Sequence, residues 1–364
     1  MYVSQFPLEH LCHTLKPVNK MRLDPGLRKE LSFLVRSVFV TFLISSVLLC
    51  LTSCTKREEA AGPPEKITIA YPTTSNTILI YIAFAKGYFR EENLDAIPQP
   101  YAFGKLALKA VTEGKADLAT AGDTPIVFAI MNGEKITTLA VIQTSNRDNA
   151  IVARRDRSIE KPSDLKGKKI GVTAGTTSDF FANSFLLAHD IDKKQVRLID
   201  VKPDEMAEAL DTGKVEAVST FNPTLKQLQR GLGEKGIIFY GELLYTETFC
   251  VIVGQEYVKN NPGAIKKVLR ALIKAEAFVQ RHPEEARRLV AEFTKVDKVT
   301  IDEIWEIVTP VVRLDQALLV DLEDQTRWVL KNNLAKRSDM PNYLDFIYVD
   351  GLQAVKPEAV RLVR

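Results

Sequence analysis

One short pattern occurs twice in the chain, and this repetition constrains the fold more than any other feature. The stretches "IAYPTTSNTIL" at 69–79 and "GVTAGTTSDFF" at 171–181 both read as a strand end, a Thr/Thr/Ser turn and an apolar helix start. A second pair, "TEGKADLATAGDTP" at 112–125 and "DTGKVEAVSTFNPT" at 211–224, follows in the same order. The repeated order predicts two similar α/β domains, each built from alternating strands and helices.

The segments around the repeats support this α/β interpretation. Runs such as "KITIAY", "ITTLAVIQ" and "NAIVARR" are rich in β-branched residues and predict strands. From residue 262 onward, four amphipathic stretches predict helices: "PGAIKKVLRALIKAEAFVQRH", "PEEARRLVAEFTK", "TIDEIWEIVTPVV" and "DQALLVDLEDQTRWVLKNN". We expect these helices to pack on the first domain, so that the chain crosses between the domains twice.

The N-terminal segment has the pattern of an export signal. Basic residues precede an apolar run in "RSVFVTFLISSVLLCLTSC", which is shorter than the roughly 20 residues of a membrane span. The run ends in "LTSC", which resembles a bacterial lipobox and implies cleavage before Cys54 and lipidation of its sulfur. An uncleaved anchor is the alternative. Met21 fits a signal-peptide start better than Met1, so residues 1–20 are interpreted as a start-site artefact, although a start at Met1 stays open.

Charge and cysteine usage exclude several classes of function. Six of the 49 Lys and Arg residues and three of the 46 Asp and Glu residues precede Cys54, so the remaining chain is neutral. A neutral body lacks the basic face of a nucleic-acid binder, and no nucleic-acid partner is expected. Beyond the leader only Cys250 remains, in the strand-like run "ETFCVIV", so neither a disulfide framework nor a Cys-based metal site is predicted.

Several stretches resemble the solute-binding proteins of ABC importers, of the nitrate/sulfonate/bicarbonate (aliphatic sulfonate/taurine) type. They are "ITIAY", "FAKGYFREENLD", "GKADLATAGDTPIVFA", "DLKGKKIGVTAGTTSDFF" and "GKVEAVSTFNP". The resemblance covers roughly residues 66–300. It implies an α/β, type II periplasmic-binding-protein-like fold, with two similar lobes joined by a two-strand hinge and extra C-terminal helices.

This resemblance gives a division of the chain. The crossovers are expected near residues 151–155 and 249–254. Residues 1–53 form the leader, 54–65 a lipidated flexible tether, 66–153 the first part of lobe 1, 154–250 lobe 2, and 251–364 the second part of lobe 1 with the C-terminal helices.

The resemblance also implies a ligand site at four loops between the lobes. All four loops follow predicted strands and precede predicted helices, where open α/β sheets bind ligands. The helix starts and the Thr and Ser hydroxyls favour an oxyanion there. The predicted ligand-binding residues are Thr73, Thr74, Ser75, Asn76, Gly122, Asp123, Thr124, Gly175, Thr176, Thr177, Ser178, Phe221 and Asn222.

Structural alternatives exist for these residues. The hydroxyls of the two turns could serve only as helix N-caps, which Ser and Thr favour. Asp123 could be an N-cap, or it could bind an amino or cationic group, because an acid is awkward in an anion site. Glu247, next to the second expected crossover, could face the cleft or could be a solvated strand end.

The resulting hypothesis is a monomeric, lipid-anchored protein of the periplasm or cell envelope. It would capture a small organic anion (a sulfonate, taurine or nitrate) and deliver it to the ABC permease, without cofactor, metal site or catalysis. The alternatives are a binder of a thiamine pyrimidine or other vitamin precursor, and a ligand sensor for a membrane kinase. Related enzymes that make the thiamine pyrimidine need a site histidine, and the body offers only His189 and His282, neither in a site-like context.

Overall fold

The computed structural model describes residues 62–363 and the single helical residue Phe33. Apart from Phe33, the predicted leader lies outside the described residues, as do the predicted lipidation site Cys54 and most of the predicted tether. The first strand starts at Glu65, the last residue of the predicted tether. None of the described helices combines the length and the apolar character that a membrane crossing requires.

The strands divide between two separate sheets. In chain order they are β1 (Glu65–Pro72), β2 (Leu94–Tyr101), β3 (Leu118–Gly122), β4 (Ile136–Ser145), β5 (Asn149–Arg154), β6 (Lys169–Val172), β7 (Arg197–Asp200), β8 (Ala217–Phe221), β9 (Gly236–Tyr240), β10 (Glu247–Gly254), β11 (Thr309–Asp315) and β12 (Val360–Arg361). A seven-stranded sheet with the order β12-β11-β4-β10-β3-β1-β2 forms lobe 1. A five-stranded sheet with the order β7-β6-β8-β5-β9 forms lobe 2.

Helices flank both sheets. The α-helices are α1 (Ile78–Ala85), α2 (Tyr88–Glu91), α3 (Gly104–Thr112), α4 (Asp123–Met131), α5 (Thr177–Ala188), α6 (Met206–Asp211), α7 (Thr224–Leu232), α8 (Gln255–Asn260), α9 (Pro262–Arg281), α10 (Pro283–Thr294), α11 (Lys298–Trp305), α12 (Gln316–Lys331) and α13 (Val349–Val355). Short 3-10 helices lie at Ser75–Thr77, Arg155–Arg157, Pro162–Leu165, Lys193–Gln195, Pro203–Glu205, Gly233–Lys235, Tyr343–Phe346 and Pro357–Ala359.

The two lobes repeat one topology, as the duplicated sequence predicts. In lobe 1, β1 pairs in parallel with β2 and β3, and β10 runs antiparallel between β3 and β4. In lobe 2, β6 pairs in parallel with β7 and β8, and β5 runs antiparallel between β8 and β9. In both sheets the strand that begins directly after a crossover, β10 or β5, runs antiparallel to its two neighbours.

The crossovers lie earlier in the chain than predicted. Strand β5 already belongs to the second sheet and β10 already belongs to the first, so the connecting segments are residues 146–148 and 241–246. The predicted crossovers near 151–155 and 249–254 fall inside or at the end of these strands. The lobe boundaries therefore lie within 146–148 and 241–246, not at 153/154 and 250/251. The apolar character of both strands is explained by burial in the interior of a sheet, not by passage between lobes.

The C-terminal region packs on lobe 1 but is not entirely helical. The predicted helix "TIDEIWEIVTPVV" ends at Trp305 in α11, and its last residues enter β11, which pairs antiparallel with β4. Pro310 interrupts the helical pattern, and Val311 and Val312 suit a pleated strand. β11 therefore extends the first sheet.

Helix α1 shows how packing decides local structure. Its sequence "ILIYIAFA" is apolar on every side, which is typical of a helix buried on all faces. The helix contacts α9 and α10, so the C-terminal helices complete the core of lobe 1. Tyr81 within α1 is fully buried, and its hydroxyl donates toward the carbonyl oxygens of Pro72 and Thr74, both at 2.5 Å.

We predict that Tyr81→Phe loosens the first turn by leaving these two carbonyl groups without their donor. Loss of a buried hydrogen bond lowers the free energy of unfolding by about 1–3 kcal/mol, which urea denaturation measures. The control is Tyr88→Phe, at a half-buried tyrosine with no side-chain hydrogen bond among the described residues. Equal stability of the two variants would show that the Tyr81 hydroxyl does not support the turn.

Candidate functional site

The four predicted loops converge between the lobes. Each begins at the carboxyl end of a strand: β1 and β3 in lobe 1, and β6 and β8 in lobe 2. They meet at a central cavity of about 20 Å³, little more than the space of one water molecule. The lobes are therefore closed on each other. The predicted residues that line this cavity are Thr74, Asn76, Gly122, Thr176, Thr177 and Phe221.

The other predicted residues do not line the central cavity. Thr73 is exposed and faces a larger pocket at the mouth of the cleft. Ser75, Thr124, Gly175, Ser178 and Asn222 are buried in the loops themselves. Asp123 is fully buried and lines neither cavity.

Several residues that line the central cavity were not among the predicted ligand-binding residues. They are Phe103, Gly104, Lys105, Pro125, Glu247 and Phe249. Phe103, Gly104 and Lys105 lie at the start of α3, and Glu247 and Phe249 lie on β10.

Two carboxyl groups form the centre of the polar network between the lobes. Asp148 ends the first connecting segment, and Glu247 begins β10 directly after the second. Both are buried, and their carboxyl groups lie next to each other. We call Asp148 and Glu247 the carboxyl pair.

Asparagine side chains from both lobes donate to the carboxyl pair. Asn76, from the first turn, donates to Asp148 Oδ2 at 2.9 Å and to Glu247 Oε2 at 3.2 Å. From lobe 2, Asn222 donates to Asp148 Oδ1 at 3.1 Å and Asn149 donates to Glu247 Oε2 at 3.1 Å. The pair therefore ties the two lobes together where the chain crosses between them.

Burial sets the protonation of this network. Loss of water raises the pKa of Glu247 well above its usual range, and the neighbouring charge of Asp148 raises it further. Burial also raises the pKa of Asp148, against the lowering effect of its hydrogen bonds with Glu247, Asn76 and Asn222.

Unpartnered oxygen atoms surround the carboxyl pair. Asn76 Oδ1, Asn149 Oδ1 and Asn222 Oδ1 are buried without a hydrogen-bond partner among the described residues, because each amide turns its NH2 group to the carboxyl pair. Gln143 Oε1 is in the same situation, since its NH2 group donates to the carbonyl oxygen of Ser75. Such atoms can only accept hydrogen bonds. The centre of the site is therefore rich in acceptors.

The Thr and Ser hydroxyls of the second turn are largely used within the turn. Thr176 Oγ1 donates to Thr173 O at 2.7 Å, and Ser178 Oγ accepts from Thr173 N at 3.3 Å. Thr176 and Thr74 occupy N-cap positions, but neither side chain makes the capping hydrogen bond. Of the three hydroxyls at 176–178, that of Thr177 reaches across to Glu247.

The Asp123 carboxyl group is hydrogen-bonded within the protein and does not line the central cavity. Gly122, not Asp123, is the N-cap of α4, and Asp123 is the first helical residue. Its carboxyl group accepts hydrogen bonds from Thr124 N, Thr248 N and the Tyr245 hydroxyl. Burial raises the pKa of Asp123 to about 7. The alternative in which Asp123 is an N-cap is thus wrong.

Further contacts hold the lobes closed around the cavity. Lys105 Nζ of lobe 1 donates to Ala174 O of lobe 2 at 2.8 Å. Trp328, on α12, packs edge-on against Phe128 of lobe 1 and Phe180 of lobe 2. The C-terminal part of the chain thus takes part in the interface between the lobes.

The described residues show no group of three or more His, Cys, Asp or Glu side chains placed to hold a metal ion. His189 stacks on Phe185 at the end of α5, and His282 lies between α9 and α10. Both histidines lie outside the two cavities.

Comparison with known proteins identifies the family. Residues 74–286 match the family described as NMT1/THI5 like. A protein of Brucella abortus (strain 2308), named only as a binding protein, is 26% identical over 279 residues, covering 75% of this chain and 82% of the relative. A Bacillus subtilis (strain 168) protein named for binding aliphatic sulfonates is 24% identical, covering 68% of this chain and 76% of the relative. The formylaminopyrimidine-binding protein of Halalkalibacterium halodurans is 24% identical, and the alignment covers 73% of this chain and 83% of that protein.

Solved structures show the same fold. The alkanesulfonate-binding protein SsuA from Xanthomonas axonopodis pv. citri, bound to MOPS, aligns with a TM-score of 0.68 at 17% identity, over 83% of this chain and 100% of that one. The desulfurization enzyme DSZB aligns with a TM-score of 0.57 at 16% identity, over 81% of this chain and 99% of that one. Most of the similar proteins are binding proteins. Because the family match spans more than half of the chain, the protein belongs to the NMT1/THI5-like family and has the α/β fold of periplasmic binding proteins.

Proposed function

We propose that the protein is the solute-binding component of an ABC importer and that it closes its two lobes on a small organic molecule. The family, the binding proteins among its relatives and the interlobe site support this function. Closure of two lobes around a ligand is a hinge motion, in which the ligand stabilises the closed form. The permease would then recognise surfaces that closure brings together.

The proposal includes no catalysis. The fold also occurs in an enzyme, so fold alone does not decide the question. The site itself offers the carboxyl pair and amide groups, which link the two lobes by hydrogen bonds. His189 and His282 lie outside both cavities and could not act on a ligand there.

The observation that supports this choice of ligand class is the set of unpartnered acceptors near the carboxyl pair. Glu247 and Asn76 line the central cavity, and Asn76, Asn149 and Asn222 each keep an unpartnered amide oxygen while their NH2 groups bond the buried carboxyl pair. A ligand with N–H donors would satisfy these atoms, whereas a bare oxyanion such as nitrate offers only acceptors. An amino-substituted heteroaromatic molecule, of the aminopyrimidine class, fits this requirement best.

An amino-bearing sulfonate such as taurine is the second candidate, because one basic side chain lines the central cavity. Lys105 lies at the start of α3, and its Nζ atom reaches the carbonyl of Ala174 in the facing lobe. A sulfonate could bind Lys105 and the hydroxyl of Thr74, while its ammonium group faces the carboxyl pair. In this arrangement the carboxyl pair still binds a donor.

The location of the protein follows from the same proposal. Cleavage before Cys54 and lipidation of that residue would anchor the folded part to the cell envelope, where a permease could reach it. Mass spectrometry of the membrane fraction would detect the lipid on Cys54.

We predict that formylaminopyrimidine binds the purified chain and that Glu247→Gln weakens its binding about 10- to 100-fold. Leaving one partner of a buried hydrogen bond unsatisfied costs about 1–3 kcal/mol, and each 1.4 kcal/mol is about tenfold in affinity. Isothermal titration calorimetry measures both values, with Glu256→Gln on the exposed face of α8 as the matched control. Lys105→Met should weaken taurine and leave formylaminopyrimidine nearly unchanged. The proposal that the ligand must supply N–H donors would be refuted if nitrate or an unsubstituted alkanesulfonate bound more tightly than both formylaminopyrimidine and taurine.

We also predict that the unliganded protein becomes less stable as the pH rises from 5 to 8. The pKa values of Glu247 and Asp148 are raised by burial, and those of Asp123 and Asp321 are raised to about 7 and about 6. Above the unfolded pKa the native state therefore holds more protons than the unfolded state, so the free energy of unfolding decreases with pH by up to about 1.4 kcal/mol per pH unit for each proton.

The substitution Glu247→Gln should make this decrease shallower, because it removes one of the groups concerned. Part of the decrease in stability with pH should remain, because Asp123 and Asp321 also have raised pKa values. Melting temperatures of the wild type, Glu247→Gln and Glu256→Gln across this pH range provide the comparison. Identical slopes for all three would show that Glu247 is not protonated in the native state.

A further inference from the structure

Two ion pairs bridge the lobes away from the proposed ligand site. Lys226 Nζ lies 3.2 Å from Glu303 Oε2, and Arg230 Nη2 lies 3.4 Å from Asp297 Oδ2. Arg230 Nη2 also donates to the hydroxyl of Thr300. None of these residues lines the central cavity or the larger pocket at the mouth of the cleft. We call Lys226, Arg230, Asp297 and Glu303 the latch residues.

The partners in each pair belong to different lobes. Helix α7, which carries the two cations, packs on β5, β8 and β9 of the lobe 2 sheet. Helix α11 carries Glu303 and is capped by Asp297. It packs on α10, which contacts α1 of lobe 1. Both ion pairs must therefore separate when the lobes part about the connecting segments.

The two helices present these charges in a matched arrangement. Lys226 and Arg230 are four residues apart in α7 and so lie on one face of the helix. On the other side, the Asp297 carboxyl group is already held in place, because it accepts a hydrogen bond from Thr300 N at 2.9 Å as the N-cap of α11. Closure of the lobes brings the basic face of α7 against two acids of lobe 1.

The energy of the latch suits a conformational equilibrium. The Lys226 side chain is only 16% exposed, which shields its pair with Glu303 from solvent more than a free surface pair. Exposed ion pairs change an equilibrium only a few-fold, and salt weakens them. An effect of this size hardly alters global stability, but it changes the populations of open and closed forms that differ by little in free energy.

We infer that the latch residues form an electrostatic latch that favours the closed form, so that the ratio of closed to open protein falls with ionic strength. The latch consists of contacts between the lobes. It therefore does not depend on the proposed ligand class, and its test needs no ligand.

A tryptophan at the interface between the lobes reports their separation. The sequence contains two tryptophans, Trp305 and Trp328, and Trp305→Phe leaves Trp328 as the single fluorophore of its kind. Trp328 packs against Phe180 of lobe 2 with 5.5 Å between the ring centroids. Opening removes this contact and gives acrylamide access to Trp328. All proteins compared below are full-length chains that carry Trp305→Phe.

The first experiment measures acrylamide quenching of Trp328 from about 0.01 M to about 1 M salt, over which the Debye length falls from about 30 Å to about 3 Å. With the native latch, quenching should increase with salt, because screening weakens the attraction between the lobes. The double variant Lys226→Glu/Arg230→Glu places like charges opposite Asp297 and Glu303. Its quenching should be higher at low salt and should decrease as salt rises. The same direction of salt dependence in both proteins would overturn the latch.

A charge swap separates ion pairing from damage to the fold. Glu303→Lys should lower the closed-to-open ratio about two- to fivefold at low salt, the contribution of an exposed ion pair. Adding Lys226→Glu should restore the original quenching, because the pair is then re-formed with its charges exchanged. The matched control is Glu256→Lys, which makes the same charge change in the Lys259–Glu256 pair within α8 of lobe 1 and should leave quenching unchanged.

Two outcomes of the swap would also overturn the latch. One is failure of the exchanged pair to restore quenching while its melting temperature equals that of the parent. The other is a change in Glu256→Lys as large as that in Glu303→Lys, which would show that quenching follows the net charge of the protein and not the contact between α7 and α11.

Discussion

The hydrogen-bonded carboxyl pair at the two crossovers is the interaction on which the closed form depends. Asp148 and Glu247 belong to the two segments that join the lobes, and Asn76, Asn149 and Asn222 bring donors to them from both sides. Burying two acids costs free energy unless they are hydrogen-bonded or share a proton. The interface between the lobes is thus built around groups that are costly to leave unsatisfied, and the proposed ligand class follows from that cost.

The duplication explains why the loops meet there. The loops after β1 and β3 lie at one edge of the lobe 1 sheet, the loops after β6 and β8 lie at one edge of the lobe 2 sheet, and the two edges face each other. The lobes differ in how they use these loops. The first Thr/Thr/Ser turn contributes Asn76 to the carboxyl pair, whereas the hydroxyls of Thr176 and Ser178 stabilise the second turn, and lobe 2 reaches the pair through Asn222 of its other loop.

The sequence predicted the fold and the four loops well, because strand and helix periodicity and the repeated Thr/Thr/Ser turn are local signals. It did not predict the carboxyl pair, since Asp148 and Glu247 are far apart in the chain and meet only through the topology of the two crossovers. The expectation of an oxyanion site considered the hydroxyls and helix starts alone, and burial of the acids could not be read from the pattern. Strand β11 was missed because the helical run before it continues without a glycine, and only Pro310 marks the change.

The structure of the protein with its bound ligand would test the central claim most directly. The account predicts a ligand nitrogen about 2.7–3.2 Å from a carboxyl oxygen of Glu247 or Asp148, with further donors facing the oxygens of Asn76, Asn149 or Asn222. A ligand held by its anionic group through Lys105 and the turn hydroxyls, with the carboxyl pair intact and out of contact, would contradict it.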